Sequence, residues 1–551
     1  MKKTLSYMSM LALLIAGCLT LACTELTDER DVVVRNADGS ITYILSVDRE
    51  AGTKALAEDG NNLKKTFAEG DRIAVVYTVG STTKVATSEA LASNKIKKDG
   101  KYAEFSVTLE DKPDADSWVK YIYPASLAKA DGTVNYAALA TQNGTLASLA
   151  SNLDLGYKEI TLSGTTFPTG VKLENPLTIV KFTLESFGGT DISVKPLTVS
   201  VGGSNYVITP SSASHELFVA IPAVTSEQTI TLTATGDASK PYIYQKTGVS
   251  LNAGQYYEII VKMSVNLAGA TSNITLVNGD KVTGTLSGNH KISIADGATV
   301  TLSNATINGV NSSSYTWAGL SCLGGATIVL ADGTINTVRG FYENYPGIHI
   351  PEGNTLTIQG TGTLNVSNNG DGAGIGGGWV SNCGNILIKN GIINATGSRE
   401  AAGIGSGFTR SCGFIEIQGG TITATGGTWA AGIGTGGGVD GHTGIGSPGD
   451  EWYEPSMPAE PSSCGAIIIS GGTVVATGGD YAAGIGTGEI GNCGNITITD
   501  GVTRVTATRG DRAQHSIGTG NNGWNFSQNS YTVTIGGVEG KVSTSPFTYQ
   551  P

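Results

Sequence analysis

Cys412-Gly-Phe-Ile-Glu-Ile-Gln-Gly-Gly-Thr-Ile-Thr-Ala-Thr-Gly426, continuing as Gly427-Thr-Trp-Ala-Ala-Gly-Ile-Gly-Thr-Gly436, is the stretch that decides the fold. Related copies run over 383–405 and 464–486. Aligning Ala-Gly-Ile-Gly puts Ile375, Ile404, Ile433 and Ile485 in register, at spacings of 29, 29 and 52. The cysteines repeat those steps: Cys383 to Cys412 is 29, to Cys464 is 52, and to Cys493 is 29. Degenerate copies precede the block (Lys291–Gly297 with Ala298–Leu302, and Asn354–Ile358) and follow it (Ser516–Gly518). Each unit holds three short strand patterns broken by glycine corners. That suits one coil of a parallel β-helix, with coils stacked at the ~4.8 Å strand spacing. A propeller needs about 40–45 residues per repeat, and a leucine-rich repeat needs a Leu/Asn pattern; neither fits. Ile415 and Ile417 share a face and should form ladders with their equivalents, and roughly nine coils fit between residues 266 and 545.

Composition agrees. Of 551 residues 78 are glycine, and 39 of those fall within 371–520, so the corners are concentrated where the repeat is. Only 15% are charged and the net charge is −12, which argues against nucleic acid, since neutralising phosphates needs a basic face. Five histidines and seven cysteines, in no CxxC or HxxxH spacing, give no basis for a metal or any other cofactor. The cysteine column reads either as buried, unpaired small side chains, the favoured reading, or as disulfides between coils.

Met1-Lys2-Lys3 and the apolar run Leu11–Ala16 form an export signal, too short to span a bilayer. Cys18 follows Ile15-Ala16-Gly17, the pattern that lipoprotein processing prefers. Cys23 opens the polar stretch Thr24–Glu29; one of the two is the expected lipid-attachment residue, the bland alternative being an ordinary secretory peptide. The acidic stretch after the cysteine resembles that of surface-exposed lipoproteins of the Bacteroidota. The expected location is the outer membrane, the cell surface or a fimbrium.

Residues 24–165 and 166–264 are strand-rich, with patterns at Arg72–Tyr77, Trp118–Pro124, Leu177–Leu184 and Tyr256–Lys262; 137–153 reads as loop or short helix. Five signatures occur in order: Thr53-Lys54-Ala55, Phe67-Ala-Glu-Gly70-Asp71-Arg72-Ile73, Tyr121-Ile-Tyr-Pro124, Asn175–Phe182 and Leu251–Tyr257. In them the chain resembles the fimbrillin family of Bacteroidota surface lipoproteins. The resemblance implies two transthyretin-like β-sandwich domains of the kind used in pilus stalks, anchors and tips. It also implies pilus subunits as partners, through a strand added at a sheet edge after N-terminal proteolysis. Lys54 sits where the family often carries a cleavable basic residue; taken alone, it reads as a solvated lysine. The glycine-rich repeats also resemble, more loosely, ligand-presenting regions of bacterial surface adhesins. The expected architecture is therefore all-β: two sandwiches followed by a parallel β-helix.

The 52-residue step contains a 23-residue insertion between Ile433 and Cys464, carrying Asp450, Glu451, Trp452 and Tyr453. Long loops on rigid scaffolds are where binding usually resides. One repeat corner carries Trp379 and Phe408; the corner before it carries Asp371, Glu400, Trp429 and Tyr481. Rings beside carboxylates suit a sugar, which has an apolar C–H face and a polar rim, so a glycan or host surface is the expected ligand. The competing reading is that the rings merely cap glycine corners; His442 reads as a plain loop residue. Asp371 and Glu400 come near the two-carboxylate pattern of glycoside hydrolysis, but no Asp-Asp, Gly-His-Gly or Arg-x-Lys set accompanies them, and Arg399 and Arg410 read as isolated. The expectation is a binding protein and no enzyme: a tip-type fimbrial or cell-surface adhesin, or else a stand-alone polysaccharide-binding surface lipoprotein, with a β-helix polysaccharide-cleaving enzyme as the third and least favoured reading.

Overall fold

The computed structural model describes residues 33–49, 66–440, 459–523 and 526–551. The chain divides into two units that are not consecutive in sequence. Among the described residues the first takes 33–49, 66–133 and 158–173, and the second takes 134–157 and everything from Glu174 onward.

In the first unit, Ile41–Arg49 alternates buried and half-buried side chains, the period of a strand with one face in a core. It pairs antiparallel with Val33–Arg35 and Tyr102–Leu109, and parallel with Val171–Leu173. A second sheet runs Thr82–Thr87, Ala74–Val79, Trp118–Tyr123 and Gly156–Thr161. Both sheets contribute to one core: Tyr43, Leu45 and Phe105 from the first, Val75, Tyr121 and Tyr123 from the second, with Phe67 and Phe167 between. This is a β-sandwich. Arg49 is 4% exposed, its guanidinium 4.3 Å from the Tyr123 ring centroid and 4.9 Å from that of Phe67.

The second unit opens with Thr141–Gln142, which pairs with Val207–Ile208, and the helix Leu146–Asn152, whose start is capped by Thr145 Oγ1 accepting from the Ser148 amide. Leu177–Glu185 lies between Glu216–Pro222 and Tyr256–Lys262. Val194–Val201, Ser204–Ile208, Val224–Gly236 and Pro241–Leu251 form the other sheet. The passage into the repeat is continuous. Ser264–Asn266 pairs antiparallel with Tyr242–Ile243 through its first two residues, and parallel with Val282–Thr283 through its last two.

From there the chain coils as a parallel β-helix. One ladder has nine strands, from Ile274–Leu276 to Ile517–Gly518, and it pairs Ile375 with Ile404, Ile404 with Ile433 and Ile433 with Ile485. Those isoleucines are fully buried, a continuous spine that no single coil could cover. A second ladder stacks Ile386, Ile415, Ile467 and Ile496, and a third stacks Ile393, Ile422 and Val474. The glycine after each spine isoleucine cannot be replaced cheaply: Gly405 has φ +140°, and a Cβ there would stand 1.8 Å from the Gly434 carbonyl oxygen. Next comes a buried hydroxyl, Ser406, Thr435 or Thr487, accepting from the amide of Gly436, Gly488 or Gly520 on the following coil. The end of the coil stack is closed by antiparallel strands, Val538–Glu539 on Thr534–Ile535 and Phe547–Tyr549 on Val505–Ala507.

The cysteine column divides between the two readings: its first pair corrects the favoured expectation of unpaired side chains, and its second pair is buried and unpaired. Cys383 and Cys412 are joined in a disulfide with Cα atoms 4.6 Å apart, because equivalent residues stand one rung apart. Cys464 and Cys493 are buried thiols in register with each other, and Cys412 is in register with Cys464.

Candidate ligand-binding corner

The two residue columns that flank the isoleucine spine meet on one surface. The amide four residues after the spine isoleucine donates to the carbonyl four residues before it on the preceding coil. The series runs Trp379 to Asn344, Phe408 to Asp371, Gly437 to Glu400, Glu489 to Trp429 and Asn521 to Tyr481, at 2.7–3.4 Å. The sequence treats these as successive corners; the coil closes them into adjacent columns.

In one column Trp379 and Phe408 meet edge to face, centroids 6.2 Å apart and planes at 66°, rather than stacking. Trp379 is 41% exposed. In the other, Trp429 and Tyr481 stack, centroids 6.3 Å apart with an interplanar angle of 28°, and the Arg512 guanidinium lies 4.7 Å from the Tyr481 ring centroid. Beyond the rings the same column becomes polar: Glu400, Asp371, Asn344. Asp371 is 5% exposed, and its Oδ1 lies 3.7 Å from Arg399 Nη1, so Arg399 is paired rather than isolated. Burial pushes the Asp371 carboxyl up, with Arg399 pulling the other way. Glu400 is raised by burial and then by Asp371; Glu489 is raised by burial, Asp440 and Glu400. Asp371 Oδ1 and Asn344 Oδ1 are both buried and, among the described residues, accept no hydrogen bond. Lone pairs of that kind can take only donors.

The insertion leaves the scaffold beside this surface. Val439 and Glu460 exchange backbone hydrogen bonds at 3.0 and 2.9 Å, and the neighbouring Gly438 amide donates to the Glu489 carbonyl. Asp450, Glu451, Trp452, Tyr453 and His442 lie outside the described residues, as do Cys18, Cys23 and Lys54. Trp379, Phe408, Trp429 and Tyr481 are the expected residues brought together. Glu489 and Arg512 were not foreseen, although both carried a repeat signal. Glu489 sits at the repeat position of Trp379 and Phe408, and Arg512 at that of Arg399. Among the described residues, the Arg410 side chain donates to its neighbour Thr409's carbonyl. Among the described residues no group of three or more His, Cys, Asp or Glu could hold a metal, and no helix is long and apolar enough to cross a membrane.

A family model described as a beta helix repeat matches residues 386–408, 415–437 and 467–489. No curated protein matches the chain significantly. Among solved structures, a fimbrial assembly protein from Parabacteroides distasonis is similar at 14% identity and a TM-score of 0.26, over 41% of this chain and 96% of its own. A candidate cell adhesion protein from Bacteroides ovatus is similar at 13% identity and a TM-score of 0.24, over 40% and 94%. The C-terminally truncated tip fimbrial protein Mfa3 from Porphyromonas gingivalis is similar at 10% identity and a TM-score of 0.20, over 37% and 81%.

Proposed function

We propose that this chain is an exported, lipid-anchored surface adhesin that holds a glycan along the ring-and-carboxylate corner of its β-helix, either at the tip of a fimbrial assembly or as a stand-alone surface lipoprotein. The observation carrying the reading is the Trp429–Tyr481 stack running into the column of Glu400, Asp371 and Asn344. Rings cover the apolar C–H face of a pyranose, and the half-buried Glu400 carboxylate beside them can accept from its hydroxyls. Equivalent side chains recur at the ~4.8 Å rung spacing, so an extended chain of sugars can lie parallel to the helix axis. Trp452 and Tyr453 of the insertion are further candidate ligand-binding residues. The export signal with Cys18 or Cys23 supports anchoring at the outer membrane, and Lys54 is the candidate processing residue. The antiparallel strands paired on the last coil support a terminal place in a filament, because they stand where a further parallel coil would continue the stack.

The test is glycan-array binding by the full chain, its Trp429→Ala form and its Trp452→Ala form. Binding weakened in both variants is the expected result; an array without hits, or hits unaffected by either change, removes the reading. Release of reducing or unsaturated sugar ends from a bound glycan would replace binding by cleavage. Co-purification with high-molecular-weight pili separates the tip subunit from the stand-alone protein.

A further inference from the structure

We propose that Cys464 and Cys493 form a second disulfide, so that the cysteine column carries two cross-links, one on each side of the insertion. Four cysteines allow three complete pairings. Adjoining rungs stand ~4.8 Å apart, and a disulfide does not span Cα atoms more than about 7 Å apart, so only neighbours in the column can join. Cys383, Cys412, Cys464 and Cys493 follow one another rung by rung. Pairing Cys383 with Cys464 spans two rungs, and pairing Cys383 with Cys493 spans three. Only Cys383–Cys412 together with Cys464–Cys493 uses adjoining rungs for both bonds. The first is already made, and the Sγ atoms of the second pair face each other at 3.3 Å.

Forming the bond removes two protons and two electrons from the thiols. The acceptor is a disulfide, of a thiol–disulfide oxidoreductase or of glutathione, which is reduced to two thiols. In the closed helix Cys464 is 7% exposed and Cys493 1%, and the Cys464 contact, then burial, push the Cys493 thiol well above its usual range. Thiolate is scarce there, so the exchange belongs to the stage before the last coils close. Cys322 is buried in a different ladder and stands outside the column, which makes it an internal control.

The experiment uses the full chain exported into an oxidising compartment, denatured without reductant in excess N-ethylmaleimide, and cut by a glutamate-specific protease. Cleavage after Glu400, Glu416, Glu460 and Glu489 puts each column cysteine on its own peptide. Expected are linked Cys383–Cys412 and Cys464–Cys493 peptides, with alkylation at Cys322. Alkylated Cys464 and Cys493, or a linked Cys412–Cys464 peptide, overturns the proposal. In the Cys493→Ser variant, Cys464 should become alkylated while the Cys383–Cys412 peptide persists; an alkylation pattern at Cys464 identical to the parent's also overturns it.

Discussion

Trp429 and Tyr481 stack ring over ring, 6.3 Å between centroids, although 52 residues separate them along the chain. The intervening insertion leaves and rejoins the scaffold at the Val439–Glu460 bridge, so the coils on either side remain neighbours. A long loop can thus be emitted beside the stack without opening the rod.

Removing either ring should weaken glycan binding without unfolding the chain. Trp429 and Tyr481 are half-buried on the outside of the coil, so Trp429→Ala and Tyr481→Ala each should raise Kd roughly tenfold, a loss of about 1.4 kcal/mol. Titration calorimetry measures this, and an unchanged far-ultraviolet spectrum confirms that the fold is kept.

Glycine substitutions should separate the two kinds of corner. Gly405→Ala places a methyl group 1.8 Å from a backbone oxygen in the next coil, whereas a Cβ at Gly353 (φ +79°) meets nothing within 4 Å. Gly353→Ala carries only the strain of its positive φ, about 1–2 kcal/mol. Gly405→Ala should cost several-fold more or prevent folding. Equal thermal midpoints for the two variants would contradict the inter-coil packing.

Thr435→Val tests the buried hydroxyl ladder. The change keeps the shape but leaves the Gly488 amide without its 2.8 Å acceptor. An orphaned buried donor costs about 1–3 kcal/mol, read as a lowered midpoint in chemical denaturation. A Thr423→Val change, on the outward face of the neighbouring strand, should be close to neutral.

Glu489 gives a pH signature. Burial, Asp440 and Glu400 all raise its carboxyl in the folded chain. Between the unfolded and folded values the native state binds more protons, so this group's contribution to stability falls as pH rises through that window. Glu489→Gln removes the penalty. The variant's Tm advantage over the parent should therefore be larger at pH 7 than at pH 4, by differential scanning calorimetry; the same difference at both would refute it.

Much of the rod was legible because its periodicity is strict. A repeat of 29 residues with Ile-Gly at a constant offset can be satisfied by one turn of chain per repeat, and the observed register pairs Ile404 with Ile433 and Gly405 with Gly434. A strand rich in β-branched and aromatic residues was legible too: Tyr256–Lys262 spans the expected residues. The helix Leu146–Asn152 was less so, since seven residues are too few for a helical period to separate from loop. Arg399 read as isolated because its partner Asp371 lies 28 residues away, on the preceding coil.

Residue order alone was enough to settle which side chains stack in columns, because in a parallel, in-register coil each rung places like positions over like. It could not settle which columns lie side by side. Trp379 meets Asn344, and Phe408 meets Asp371, only because the chain closes each coil and returns one rung higher, and closure depends on the glycine corners acting together. The cysteine pairing has the same origin: a column of four equivalent residues has no partner preference until the rungs fix the distance that a disulfide can bridge.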